Sequence, residues 1–334
     1  MTNYNKTAAI ALMNQWGAAR RPFIFLTDFL AEKAMLCPLE EIDPSELRYS
    51  FSDKGNAAVI RSSVLPNFDF SKHPVDFPTY SLAFEKVKRA ILAGDSFLLN
   101  LTFPTLIQSN LDLYSIFLNS KARYRLWLKD QFTLFSPEPF VRIQNGRIAT
   151  FPMKGTISAD LPQAKEQLLQ NTKEQAEHAT IVDMLRNDLS RVAKQVRVQR
   201  YRYIDEVVTD QGRILQTSSH IEGQLPADHW DQLGDILFAL LPAGSISGAP
   251  KKRTLEIIQD AEPFDRGFYT GVCGIFDGQT LDSGVMIRFI ESTPNGLVYK
   301  SGGGITFQSQ AWTEYQEMIQ KVYLPFGAQE AINL

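Results

Sequence analysis

Lys154, in the run Phe151-Pro152-Met153-Lys154-Gly155-Thr156, is a candidate nucleophile. A lysine amine attacks once its surroundings favour its neutral form. Pro152 withholds a backbone donor, Gly155 permits close approach of a ligand to the main chain, and Thr156 adds a hydroxyl. Taken alone, the run also reads as a surface lysine in a turn. Glu174 and Glu177 stand three apart on a predicted helix. Glu314 and Glu317 stand three apart on the last predicted helix, with Lys321 four residues further on. This spacing puts side chains on one helix face. Paired carboxylates repel unless a cation lies between them. Two such helices facing each other would suit a hard divalent ion, above all Mg2+, with water and substrate oxygens completing its shell. The same residues also read as two solvated faces, Lys321 neutralising Glu317.

Other stretches offer anion or proton chemistry. Gly302-Gly303-Gly304 lets backbone N–H groups converge on an anion, or makes a tight strand-to-helix connection. Arg288, in a predicted strand 285–290, can pair with a carboxylate, and Tyr269 can add a hydroxyl. Glu138, in Ser136-Pro137-Glu138-Pro139, is a candidate general acid or a plain loop carboxylate. The stretch from Gly244 to Lys251 resembles a phosphate loop, but its G-x-x-x-G-x-x-K spacing is not that of G-x-x-x-x-G-K-[ST]. A metal, an arginine, a glycine run and a lysine together suit a small polyanionic substrate.

The elements that must position these residues alternate between helical and strand patterns. Helices are predicted over 7–19, 81–93 (capped by Ser81), 111–118, 161–186, 230–240, 252–260 and 310–323. Strands are predicted over 22–28, 34–37, 47–51, 97–103, 124–129, 131–135, 197–208, 214–223, 271–276, 281–290 and 297–301. Arg142 to Thr150, broken by Asn145-Gly146, has the pattern of a tight hairpin, which puts Lys154 where a strand ends. The Pro- and Asp-rich stretch 66–78 reads as a loop. Hairpins outnumber βαβ units, so the fold class is α+β with largely antiparallel sheets. Residues 1–75 read as a short N-terminal portion packed on a core over 76–330, with no true boundary between them.

Composition narrows the function classes. The 334 residues are 44% apolar and 21% charged, with net charge −3, ordinary for a globular chain and without general affinity for nucleic acid or anionic membrane. Two cysteines (Cys37, Cys273) make neither a disulfide framework nor a zinc site, and the four histidines lack metal-motif spacing. No apolar run has membrane-spanning length and no signal-peptide pattern opens the chain. A reducing cytoplasm is the expected setting.

In this order, the motifs resemble those of the chorismate-utilising enzymes: anthranilate synthase component I, aminodeoxychorismate synthase component I, isochorismate synthase and salicylate synthase. The resemblance runs from about Ser81 to the last helix. It is carried by Ser136-Pro137-Glu138, Pro152-Met153-Lys154-Gly155-Thr156 and Ile181-Val182-Asp183-Met184-Leu185-Arg186-Asn187-Asp188-Leu189. It continues in Gly244-Ser245-Ile246-Ser247-Gly248-Ala249-Pro250-Lys251, Arg266-Gly267-Phe268-Tyr269-Thr270-Gly271, Gly302-Gly303-Gly304-Ile305 and Glu314-Tyr315-Gln316-Glu317. The family's fold implies a layered α/β sandwich around a central cleft.

Lysine at position 154, where anthranilate synthases carry alanine, resembles the aminodeoxychorismate synthases. Leu98 stands where isochorismate and salicylate synthases carry a general-base lysine. The resemblance therefore implies a transferase that aminates chorismate at C4 to 4-amino-4-deoxychorismate, toward 4-aminobenzoate and folate. Ammonia would come from a separate glutaminase subunit. Lys154 and Glu138 would be catalytic. Gly155, Thr156, Tyr269, Arg288, Gly302, Gly303, Gly304 and Lys321 would bind substrate. Glu174, Glu177, Glu314 and Glu317 would hold Mg2+. Anthranilate synthase component I, or a non-catalytic binding protein of the same fold, is the alternative. Gln216 stands where the family has a histidine, Ala243 where glycine is frequent, and the region before the core is short.

Overall fold

A computed structural model of the chain describes residues 1–57, 68–209 and 212–326. Apolar runs such as Phe23–Thr27 form strands buried on both faces. Phe23 and Phe25 point to one side of the sheet and Ile24 and Leu26 to the other, as the two-residue period of a strand requires. Among the described residues the strands pair antiparallel in two large sheets.

The first sheet runs from Thr2–Asn5 through Lys33–Pro38, Phe23–Thr27, Val272–Phe276, Leu281–Val285, Pro139–Gln144, Arg147–Thr150 and Gly212–Gln224 to Met153–Ser158. Lys194–Thr209 also pairs with Gly212–Gln224. The second runs from Gly248–Ala249 through Leu98–Ser109, Gly296–Ile305, Phe289–Thr293, Phe132–Ser136, Tyr124–Leu128 and Leu47–Phe51 to Lys54–Gly55, with Phe70–Pro74 beside Leu98–Ser109. The two sheets face each other across a core of Ile24, Leu26, Tyr49, Leu126, Ile275 and Phe289. Helices Lys6–Ala18, Thr172–Ser190 and Leu233–Leu240 cover the outside of the first sheet. Helices Phe77–Leu92, Lys251–Ala261 and Ala311–Gln320 cover the outside of the second. Each fully buried Phe, Leu or Ile contributes about 1.5–3 kcal/mol by leaving water. The fold is thus a layered α+β sandwich with antiparallel sheets. None of its described helices is long and apolar enough to cross a membrane.

The Asn145-Gly146 hairpin forms as its sequence predicts: both residues take positive φ, 52° and 70°, the geometry of a tight hairpin turn. Several expected elements differ. The helix expected to start at Ser81 starts at Phe77, because Asp76 caps it by accepting from the Thr79 N–H at 2.9 Å. Phe70–Pro74, expected as loop, is an edge strand. Pro66 and Asn67, in the same stretch, lie outside the described residues, as do 327–330 at the end of the expected core. The long helix over 161–186 is two helices, Ala164–Gln170 and Thr172–Ser190. Asn171 ends the first and caps the second, its side chain accepting from the Glu174 N–H at 3.1 Å. The run 281–290 is not one strand: Leu281–Val285 belongs to the first sheet and Phe289–Thr293 to the second. The apolar residues Val285, Met286 and Ile287 lead up to Phe289 and Ile290 across the break, so the pattern hides the crossing.

Candidate active site

A cleft of about 580 Å³ opens between the edges of the two sheets and the helices Thr172–Ser190 and Ala311–Gln320. Every residue singled out from the sequence as catalytic, substrate-binding or metal-binding lines it, except Gly303.

Lys154 lies within the strand Met153–Ser158, not at a strand end. The ladder to Gly212–Gln224 shifts register between Lys154 and Thr156. The intervening Gly155 takes φ +73°, a conformation that disfavours any residue with a Cβ. A Cβ there would also sit 3.1 Å from Oε2 of Glu174. The bulge thus turns the lysine into the cleft and lets the Glu174 carboxylate close in beside it. The Lys154 carbonyl accepts from the Thr217 hydroxyl. Its amine lies 3.8 Å from where a Cβ on Gly304 would stand, which places it over the glycine strand of the opposite sheet.

Across the cleft, the Glu138 carboxylate accepts a 2.5 Å hydrogen bond from the Ser245 hydroxyl. Burial pushes the Glu138 carboxyl above its usual range, opposed by the Ser245 bond and by the charges of Lys154, Arg288 and Lys321. Ser245 rides on the short turn Gly244–Ser247. Gly248 follows at φ +107°, so close to the main chain that a Cβ would lie 1.9 Å from the Leu98 carbonyl. The glycine-rich stretch is therefore a turn clamped on the second sheet, not a phosphate loop. Lys251 anchors its far end by a 2.7 Å ion pair to Asp188 and a 2.7 Å bond to the Leu240 carbonyl.

Glu174 and Glu177 reach the cleft from one helix, and Glu314 and Glu317 from the other. Glu314 Oε2 and Glu317 Oε1 each stand 3.4 Å from the point where a Cβ on Gly303 would be, so these two converge. Lys321 donates to Glu317 Oε1 at 2.6 Å and to the Gly302 carbonyl at 2.9 Å. Burial holds the Lys321 amine below the usual lysine range, helped by Arg288 and Lys154 and opposed by Glu317. Carboxylate oxygens are the hard donors Mg2+ takes, so the donor set fits that ion chemically. The set is not drawn together in advance: among the described residues no three His, Cys, Asp or Glu side chains form a group able to hold a metal.

Gly302-Gly303-Gly304 is neither a loop nor a connection to a helix. It lies inside the strand Gly296–Ile305, with Gly302, Gly303 and Gly304 opposite Thr102, Leu101 and Asn100. In an antiparallel ladder the N–H and C=O of one residue point the same way. The Thr102 N–H is given to Glu262 and the Asn100 carbonyl to Arg266, so both residues turn away from the glycine strand. Their partners Gly302 and Gly304 accordingly turn their amides to the cleft, while Gly303 bonds within the sheet. Two amides, not three, are available to an anion.

Arg288 lies in the crossing between the sheets rather than in a strand, at φ 52°. Its Nε is buried and has no hydrogen-bond partner among the described residues. Tyr269 is 2% exposed, and burial pushes its hydroxyl above the usual phenol range. Sequence reasoning passed over Ser245, although it lay inside a stretch already weighed as a loop. Tyr323, Lys300 and Asn100 also line the cleft. Nothing in their spacing signals this, since only the packing of strand and helix ends brings them there. Gln216 lines the cleft too.

The family model for chorismate binding enzyme matches residues 49–326. An uncharacterized PabA-like protein of Haemophilus influenzae is 52% identical over 312 residues, covering 93% of this chain and 94% of that one. Aminodeoxychorismate synthase component 1 of Bacillus subtilis is 33% identical over 270 residues, covering 76% of this chain and 56% of that one. The crystal structure of anthranilate synthase component I from Streptococcus pneumoniae aligns at TM-score 0.64 and 27% identity, over 78% of this chain and 60% of that one.

Proposed function

We propose that this chain, which belongs to the chorismate-binding enzymes, aminates chorismate at C4 to give 4-amino-4-deoxychorismate, with ammonia delivered by a separate glutaminase subunit. The observation that carries the reading is the pairing of Lys154 and Glu138 on one cleft, an amine and a protonatable carboxyl on the walls between which a small ring fits. Leu98, whose Cδ1 would lie 3.1 Å from a Cβ on Gly304, is aliphatic and offers no base for activating water.

The steps follow from these groups. Neutral Lys154 Nζ forms a bond to C2, the ring double bonds shift, and the C4–O bond breaks. Glu138 gives its proton to that oxygen, which leaves as water. Ammonia then bonds to C4, the double bonds shift back, and the C2–N bond breaks to return neutral Lys154. The C4 ammonium passes a proton to the Glu138 carboxylate, restoring the acid. The sum is chorismate plus ammonia giving 4-amino-4-deoxychorismate plus water. Arg288 and the amides of Gly302 and Gly304 would hold the enolpyruvyl carboxylate beside Tyr269. Gly155 and Thr156 would line the ring pocket. Mg2+, held by Glu177 and Glu317 with Glu174 and Glu314 behind them, would neutralise the ring carboxylate when bound.

Incubation with chorismate, Mg2+ and ammonium, followed by mass spectrometry of the products, tests the proposal. Accumulation of 4-amino-4-deoxychorismate supports it. Anthranilate with pyruvate would instead assign amination at C2, the second reading, which the likeness to anthranilate synthase component I supports. Unchanged chorismate would leave a binding protein of this fold.

A further inference from the structure

A guanidinium has two kinds of surface. Its in-plane edges donate paired hydrogen bonds to carboxylates, and its faces stack on aromatic rings. In this cleft the two are divided. The Arg288 Cζ lies 5.3 Å from the ring centroid of Tyr323, while the buried Nε has no hydrogen-bond partner among the described residues. The Arg288 main chain is held, its carbonyl accepting from the Phe135 N–H at 3.1 Å. A long side chain on a fixed backbone still turns about its own bonds, and the Tyr323 ring limits rotation of the guanidinium plane.

The ring is itself well mounted. Tyr323 follows the helix Ala311–Gln320 by three residues. Its neighbours Val322 and Leu324 are 1% and 7% exposed in one apolar cluster. Lys72 ties down the helix end, donating to the Ile319 carbonyl at 2.8 Å and to that of Val322 at 3.3 Å. With 322 and 324 turned inward, 323 faces the cleft, where its side chain stays 37% exposed.

We infer that Tyr323 is a positioning residue for Arg288, fixing the guanidinium plane so that the edge lining the cleft is presented to a carboxylate of the substrate. The inference rests on the proposed reading of the cleft as a chorismate site. The ring carries the guanidinium plane, and the Tyr323 hydroxyl adds a polar contact to the same group.

The test compares Tyr323→Ala with Tyr323→Phe, alone and combined with Arg288→Ala. Chorismate is titrated by protein fluorescence with Mg2+ and without ammonia. Tyr323→Phe, which keeps the ring and loses only the hydroxyl contact, should bind more tightly than Tyr323→Ala and within a few-fold of the parent. Tyr323→Ala should bind about tenfold more weakly, as expected for a cation–π contact at a part-exposed site. With ammonium present, the same variant should show a raised KM and a retained kcat. The alanine double variant should be no weaker than Arg288→Ala alone, since a plane cannot be oriented once the guanidinium is gone. Equal affinity in parent and Tyr323→Ala, or additive losses in the double variant, would overturn the inference. A parent that fails to bind chorismate would refute the proposed function instead. In that event the Arg288 Nε–H signal in 15N NMR of the ligand-free protein, assigned with Arg288→Lys, still decides the matter. It should be sharp and slowly exchanging in the parent and Tyr323→Phe and lost in Tyr323→Ala, and its survival in Tyr323→Ala would count against the role.

Discussion

In the proposed mechanism Lys154 and Glu138 make opposite demands on protons. The amine must be neutral to attack and the carboxyl protonated to donate, so turnover should rise and then fall with pH. Burial raises the Glu138 carboxyl, and the alkaline limb belongs to its ionisation. Glu138→Gln should lower kcat by about 10²–10⁴-fold and shift or abolish that limb; an unaltered limb would remove Glu138 from the role of acid. For the nucleophile, intact-protein mass spectrometry after chorismate is added without ammonia should find an adduct of chorismate less water. Peptide mapping should place it on Lys154. Lys154→Ala should lose the adduct and form the C4 product about 100-fold more slowly, roughly 2.7 kcal/mol of barrier. C4 amination at the parental rate would reduce the lysine to a local charge.

At the scale of elements, Glu138, the acid of the proposed mechanism, is bonded from a turn that the Asp188–Lys251 pair holds. Those side chains are only 14% and 16% exposed. Burial pushes Asp188 up and Lys251 down, so desolvation offsets much of the pair's attraction. Removing one partner is costlier than the pair is worth, because it leaves the other charge buried alone. Asp188→Ala should therefore destabilise the fold by about 3–5 kcal/mol, read from denaturant midpoints, and disturb the Gly244–Ser247 turn that carries Ser245. The double change Asp188→Leu/Lys251→Met should recover much of that stability. If the single variant melts like the parent, the clamp is not what secures the turn.

Over the whole molecule, the proposed reaction calls for ammonia that the chain's own thiols do not suit it to release from glutamine. Residues 49–326 match the chorismate-binding family. A cysteine nucleophile for glutamine hydrolysis needs a reachable thiolate, but Cys37 and Cys273 are both buried and burial pushes both thiols up. The purified chain should turn over chorismate with ammonium salts, faster as rising pH increases free ammonia. It should use glutamine only when a glutaminase subunit is added. Glutamate release from glutamine by the chain alone would refute this.

Motifs in sequence order already pointed to the family, the α+β class and the set of residues that meet in the cleft, because each depends on local chemistry. Asn145-Gly146 makes its hairpin through the positive φ both residues tolerate. The i, i+3 glutamates share a helix face through the 3.6-residue repeat. Contacts between distant segments were decided by the tertiary structure. The crossing at Arg288 joins two sheets just after the apolar run Val285-Met286-Ile287, which gives no sign of the break. Gly303 turns away because the Gly296–Ile305 strand pairs with Leu98–Ser109 in one register and not the next, and a shift of one residue would exchange the groups facing the cleft. Ser245 meets Glu138, and Tyr323 meets Arg288, across separations of 107 and 35 residues that no local period can encode.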